Sequence, residues 1–300
     1  MVLIKYKKFK VWGWQAFVNF TVGGMAAGFY ILVVAIDLIY GGIPTLLHSS
    51  VIKLISPFLV ALGFLAVATE AGKPARGFNL VNNMRTSWMS RETLAGVLFI
   101  FATVTDWLFP YIGFRVLAAA AAFGFLLSQG FIVYRCCATP SWNIPVIPVY
   151  FITSGFSMGF GLWLLLSGFG KIQAPFISVI VGLVMVMMTM YLWVVCSHRS
   201  GPTASRESSK LPGRFNSLIY NAGFGHVFAV LLLLALLPAV FFEFGAQYQR
   251  VMSILAATAI LGTSASQKSK ILLRFKYMRS IVMGQSGFNT QLIKNIKNDR

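Results

Sequence analysis

Apolar residues run along this chain in eight stretches, at about 14 to 40, 51 to 70, 92 to 109, 111 to 134, 144 to 168, 174 to 197, 222 to 243 and 246 to 265, each closed by polar, proline or glycine residues. About 20 apolar residues make a helix long enough to cross a hydrocarbon layer of ~30 Å. The pattern therefore predicts an all-α integral membrane protein of eight transmembrane helices. The eighth is the most polar, with Gln247, Gln249 and Arg250 at its start and Thr263, Ser264 and Ser266 at its end. A short basic stretch, Met1 to Lys10, precedes the first run. That run is far too long for a signal-peptide core and lacks a small-residue cleavage site near its end, so it is expected to remain as the first span.

Composition agrees with a chain that lives in lipid. Of its 300 residues 57% are hydrophobic and only 11% charged, whereas a water-soluble domain carries about a quarter charged residues. Eight spans leave almost no extramembrane domain, so chemistry takes place in the bilayer or is handed to a partner subunit. The net charge of +18 belongs to loops flanking spans rather than to a nucleic-acid surface, and no nucleic acid is expected as a partner. With eight spans, 21 of the 25 basic residues fall on one face, and Lys53, Arg115, Lys171 and Arg250 fall on the other. The positive-inside rule then puts both termini and the long second and sixth loops in the cytoplasm of a prokaryotic inner membrane. Cys136, Cys137 and Cys196 have no metal-ligand spacing and read as packing residues at helix ends.

The first and fifth runs look related. Phe20 to Phe29 and Phe151 to Phe160 repeat a Phe, two glycines and a second Phe at a constant offset of 131. A parallel repeat of this kind divides the chain into two four-helix bundles, residues 1–135 and 136–300, the second carrying a basic C-terminal tail. Gly24 with Gly28, and Gly155 with Gly159, are small-xxx-small pairs that let helix backbones approach closely.

Only seven acids occur in the chain, so each can be weighed. Glu207 and Asp299 lie in solvated segments, and Asp37, Asp106 and Glu243 lie near the extracytoplasmic helix ends, as interfacial residues would. Glu70 and Glu92 differ, because they bracket the second loop where helices 2 and 3 leave the apolar phase. A carboxyl group at such an edge can accept and release protons. The loop between them is rich in Arg and Asn; Gly72 and Pro74 end helix 2, and Ser90 is a candidate N-cap of helix 3.

Several stretches taken together resemble the NrfD/DmsC-like family, the membrane subunits of polysulfide reductase, DMSO reductase and related iron-sulfur molybdoenzymes. They are Trp12-Gly13-Trp14 with Gly23-Gly24-Met25-Ala26-Ala27-Gly28, the Glu-x-Gly-Lys-Pro-x-Arg-x-Phe-Asn stretch at 70 to 79, Ser87-Trp88-Met89-Ser90-Arg91-Glu92, and Pro140-Ser141-Trp142-Asn143. The resemblance implies a quinone-reactive anchor subunit without haem, using menaquinone or ubiquinone. It further implies a four-cluster ferredoxin-like iron-sulfur subunit and a molybdopterin catalytic subunit as partners that carry the other cofactors. It assigns quinone binding and proton exchange to Glu70 and Glu92, with Asn19 and Arg76 nearby. In the DMSO reductase branch the position of Glu70 is a His. Many relatives also dock their catalytic subunit outside the cytoplasmic membrane, and the charge count here points inward.

A quinone pocket needs an apolar cradle, a hydrogen bond to each ring oxygen and a titratable group. Glu70 and Glu92 are the proton-exchanging candidates; Asn19, Arg76, Asn79, Trp88 and Arg91 are the binding candidates, with Trp12, Trp14 and Trp88 equally suited to an interfacial aromatic belt. A dihaem cytochrome is excluded, since four axial histidines are needed and only His48, His198 and His226 exist. Two readings stay open beside the quinone one. A secondary transporter without redox cofactors would show charges at the membrane midplane and broken helices, and a scaffold would tolerate loss of both glutamates.

Overall fold

A computed structural model of the chain describes residues 12–41, 49–70, 84–136, 142–170, 174–207, 212–242 and 245–274. They form eight long helices and no strand. These are α1 (Trp14–Tyr40), α2 (Ser49–Glu70), α3 (Trp88–Leu108), α4 (Ile112–Tyr134), α5 (Val146–Gly168), α6 (Phe176–Glu207), α7 (Pro212–Phe241) and α8 (Ala246–Ser269). Six of them (α1, α2, α4, α5, α6 and α7) contain stretches long and apolar enough to cross a membrane. In α3 and α8 polar residues dilute the apolar ones, and several of these are buried, Ser90, Glu92, Thr103 and Asp106 on α3 and Ser253, Ser264, Gln267 and Lys268 on α8.

α1 and α5 form the centre. α1 packs on α2, α4 and α5, while α5 also meets α4, α6 and α8. Backbone-to-backbone contact makes this possible. A Cβ added to Gly28 would collide with the carbonyl group of Gly155, and one added to Gly159 would collide with the backbone at Gly28 and Phe29. The glycine pairs of the two related runs thus face each other, as small-xxx-small pairs do where helices touch. The peripheral helices carry apolar side chains on their outer faces as well, among them Phe58, Leu62 and Leu65 on α2 and Phe224, Phe228 and Leu231 on α7. A helix apolar all round is suited to a lipid-facing position. α1 stops at Gly41, whose φ of 67° is the left-handed conformation that a glycine C-cap supplies.

Three expectations need correction. Ser87, not Ser90, caps α3: its Oγ accepts the amide of Ser90 at 3.3 Å. α8 does not fade at residue 265 but runs to Ser269 and continues as a π turn, Lys270–Arg274. Lys268 and Lys270 therefore belong to the packed structure rather than to a basic tail. The reason lies in the helical period, since Ser253, Ala257, Ile260, Ser264, Gln267, Lys268 and Ile271 share one buried face. The third correction concerns Asp37 and Asp106, which are not interfacial but buried in a four-charge cluster. Asp37 on α1 meets Lys53 of α2 at 3.3 Å and Arg115 of α4 at 2.8 Å, and Asp106 on α3 meets the same two at 3.4 and 3.6 Å. One charge comes from each of four helices, and two positive charges balance two negative ones. Glu243 lies outside the described residues.

Candidate functional site

Near the other end of the same helices, α1 opens with an irregularity. Residues Asn19–Gly23 form a π turn between two α-helical stretches. A π turn is wound wider than an α turn, and such bulges inside α-helices are frequent at functional sites. Here the carbonyls of Asn19 and Phe20 accept side-chain donors from other helices, Gln129 of α4 at 3.2 Å and Lys268 of α8 at 2.9 Å.

Around this turn sits a polar cluster within an apolar surround. Glu92 stands in the first turns of α3 and is only 6% exposed. Its Oε1 accepts the amide Nδ2 of Asn19 at 2.9 Å and the amide Nε2 of Gln129 at 3.2 Å. Asn19 and Gln129 are themselves 3% and 1% exposed. A buried carboxylate survives only when hydrogen-bonded, and the two amides meet that need. Their own carbonyl oxygens, Asn19 Oδ1 and Gln129 Oε1, are buried with no hydrogen-bond partner among the described residues. Unpaired acceptors of this kind are what an incoming donor would complete. Phe64 and Phe125, in edge-to-face contact with centroids 5.8 Å apart, close the cluster on its apolar side, and both rings press on Gly96 one turn beyond Glu92.

The entrance to α3 is braced separately. Arg91 donates from Nε to the carbonyl of Met84 at 3.0 Å and from Nη2 to that of Arg85 at 2.9 Å. Its guanidinium lies 4.2 Å from the Trp88 ring centre, and Trp88 stacks on Phe131 of α4 at 4.3 Å. Arg91 and Trp88 thereby tie the end of the second loop to α3 and α4. Trp12 stacks on the fully buried Trp142 at 4.7 Å, and Trp142 Nε1 donates to the Ile271 carbonyl in the second π turn at 2.8 Å. Trp14 points outward, 58% exposed.

Of the residues singled out from sequence, Asn19 and Glu92 are thus in direct contact, while Trp88 and Arg91 frame the same end of α3. Glu70 is the last residue of α2, and its side chain lies outside what the structure describes, as do Arg76 and Asn79 altogether. Sequence reading missed Gln129 and Lys268. Gln129 was visible as the one amide inside the apolar run of 111 to 134. Lys268 was hidden by its neighbours, because a lysine after several small polar residues looks like the start of a tail.

The family model described as DMSO reductase anchor subunit (DmsC) matches residues 11–263 of the chain. A curated relative, the C subunit of the anaerobic dimethyl sulfoxide reductase of Haemophilus influenzae, is 30% identical over 96 residues. That match spans 28% of this chain and about a third of the relative, 33%.

Proposed function

The chain belongs to the DMSO reductase anchor subunit (DmsC) family, and from that premise we propose that it exchanges electrons between membrane quinone and a docked iron-sulfur subunit, with Glu92 moving the proton. The coarser statement follows from the family: a multi-pass membrane protein serving as anchor subunit of a molybdoenzyme. The finer one rests on the buried carboxylate of Glu92, gripped by two amides whose own oxygens lack partners.

The residues suit a hydroquinone. Its two hydroxyl groups need acceptors, and Glu92 and Asn19 Oδ1 are acceptors in a confined, largely apolar space. A bound quinol supplies two electrons and two protons. Glu92 Oε1 is already engaged by Asn19 and Gln129, so Oε2 is the atom that takes up a proton. The amides hold the carboxyl group in one orientation, which limits the reorganisation that proton transfer requires. Arg91 and Trp88 hold the entrance loop so that the start of α3 keeps its place. Glu70, Arg76 and Asn79 complete this reading from the loop side, where an exit for the proton to the basic face is required. The partners are a four-cluster ferredoxin-like iron-sulfur subunit and a molybdopterin catalytic subunit, with the docking face and both termini in the cytoplasm.

Glu92→Gln keeps the side-chain size and removes the proton site. In the assembled complex it is expected to lower quinol-linked turnover by at least about 100-fold, while the iron-sulfur subunit still co-purifies. Wild-type turnover in this variant would remove the assignment.

A further inference from the structure

Lys268 is fully buried, yet among the described residues it has no carboxylate within ion-pair distance. A lysine within a membrane is costly and is retained where it has a specific task. Its ammonium group donates to the Phe20 carbonyl at 2.9 Å and stands 5.6 Å from the Phe151 ring centre. Phe20 follows Asn19 in the π turn, so the ammonium holds one carbonyl of that turn while the Gln129 amide holds the preceding one.

Gln129 links the two ends of this arrangement. Its NH2 group faces Glu92 and the Asn19 carbonyl. Its oxygen faces the other way: a Cβ placed on Gly24 would lie 3.0 Å from Gln129 Oε1 and 3.0 Å from Lys268 Nζ. The amide dipole therefore has its positive end on the carboxylate and its negative end on the side shared with the ammonium. This is the orientation that a negative group on one side and a positive group on the other would select. Glycine at position 24 leaves room for both side chains.

We propose that Lys268 is a positioning residue of the site, which holds the π turn at residues 19–23 open and balances the Glu92 charge through the Gln129 amide. The inference rests on the quinone reading for its effect on turnover but not for its geometry. Glu92 comes from α3, Gln129 from α4, Asn19 and Phe20 from α1, and Lys268 from α8. A single contact thus brings the second half of the chain to bear on a carboxylate in the first half.

The test uses the assembled complex with four changes: Glu92→Gln, Lys268→Met, their combination, and Gly24→Ala. Acid-minus-base infrared difference spectra identify the Glu92 carboxyl band by its loss in Glu92→Gln. In Lys268→Met that band is expected to persist but move by several wavenumbers, with turnover falling about tenfold or more. The double variant should turn over no more slowly than Glu92→Gln alone. Gly24→Ala, whose methyl group pushes on both Gln129 and Lys268 while leaving their chemistry intact, should move the band in a stably folded protein. An unmoved band in both Lys268→Met and Gly24→Ala overturns the proposal, as do strictly additive losses in the double variant. If Glu92→Gln turns over quinol like the wild type, the quinone reading falls, and the infrared band alone decides the role of Lys268.

Discussion

Gly63 of α2 lacks a side chain where Asn19 needs the space: a Cβ there would lie 2.8 Å from Asn19 Oδ1 and 3.3 Å from its Cα. Gly63→Ala is therefore expected to push the Asn19 amide off Glu92. It should lower quinol-linked turnover about tenfold, since small misplacements at a reacting group are costly, with little change in the amount of folded protein recovered. Unchanged kinetics would show that Asn19 is not held against Glu92 by α2. At this scale the sequence was informative where a residue stood out against its surroundings. Glu92 was one of seven acids, and Asn19 was an amide inside an apolar run. Gln129 and Lys268 were less legible because their meaning is relational. An amide in a helix looks the same whether it faces lipid, a neighbour or a carboxylate, and only the fold brings residue 129 to residue 19 and residue 268 to residue 20.

Among the helices, two features carry the packing, and they respond differently to mutation. Where α1 crosses α5 the backbones touch at Gly28, Gly155 and Gly159. Gly28→Val is expected to destabilise the protein by about 1–3 kcal/mol or more, as overpacking does, and to lower its melting temperature in detergent. Gly262 on α8 has open space where its Cβ would be; Gly262→Ala should be neutral or stabilise by about 0.5–1 kcal/mol. The same thermal measurement tests both. At the far end, the cluster of Asp37, Lys53, Asp106 and Arg115 joins α1 to α4. Asp106→Asn leaves an uncompensated positive charge and is expected to cost about 3–5 kcal/mol, of which a second change, Lys53→Met, restores part. A double variant as unstable as the sum of the singles would show that the charges do not act together. The apolar runs located all eight helices, but the number of residues in each helix was harder to read. α6 and α7 extend to Glu207 and back to Pro212, through polar sequence that marks where apolar residues stop rather than where hydrogen-bonded helix stops. The cluster itself was not legible, because each acid is opposed by a base on a different helix.

For the molecule as a whole, the distribution of charge and the expected partners make separate predictions. The eight-span reading of the sequence, which assigns 21 of the 25 basic residues to one side, predicts that a cysteine introduced at Ser208, outside the described residues, reacts with impermeant reagents only after the cytoplasm is opened. Labelling in intact cells would reverse the orientation and with it the side on which the catalytic subunit docks. Purification of the tagged protein in mild detergent should bring iron together with molybdenum or tungsten, measured by elemental analysis. Recovery of a stable, metal-free protein would favour transport over electron transfer.

The contact between Lys268 and the π turn of α1 also bears on how the protein is made. Residues 14 to 40 leave the ribosome long before residue 268, so α1, α3 and α4 can bring Asn19, Gln129 and Glu92 together while the Phe20 carbonyl still waits for its donor. The surroundings of Glu92 are closed by α8, the last of the eight helices among the described residues to be synthesised. A nascent or truncated chain therefore has an unfinished polar cluster in its interior, a feature by which quality-control machinery in the membrane can tell a partial product from a complete one.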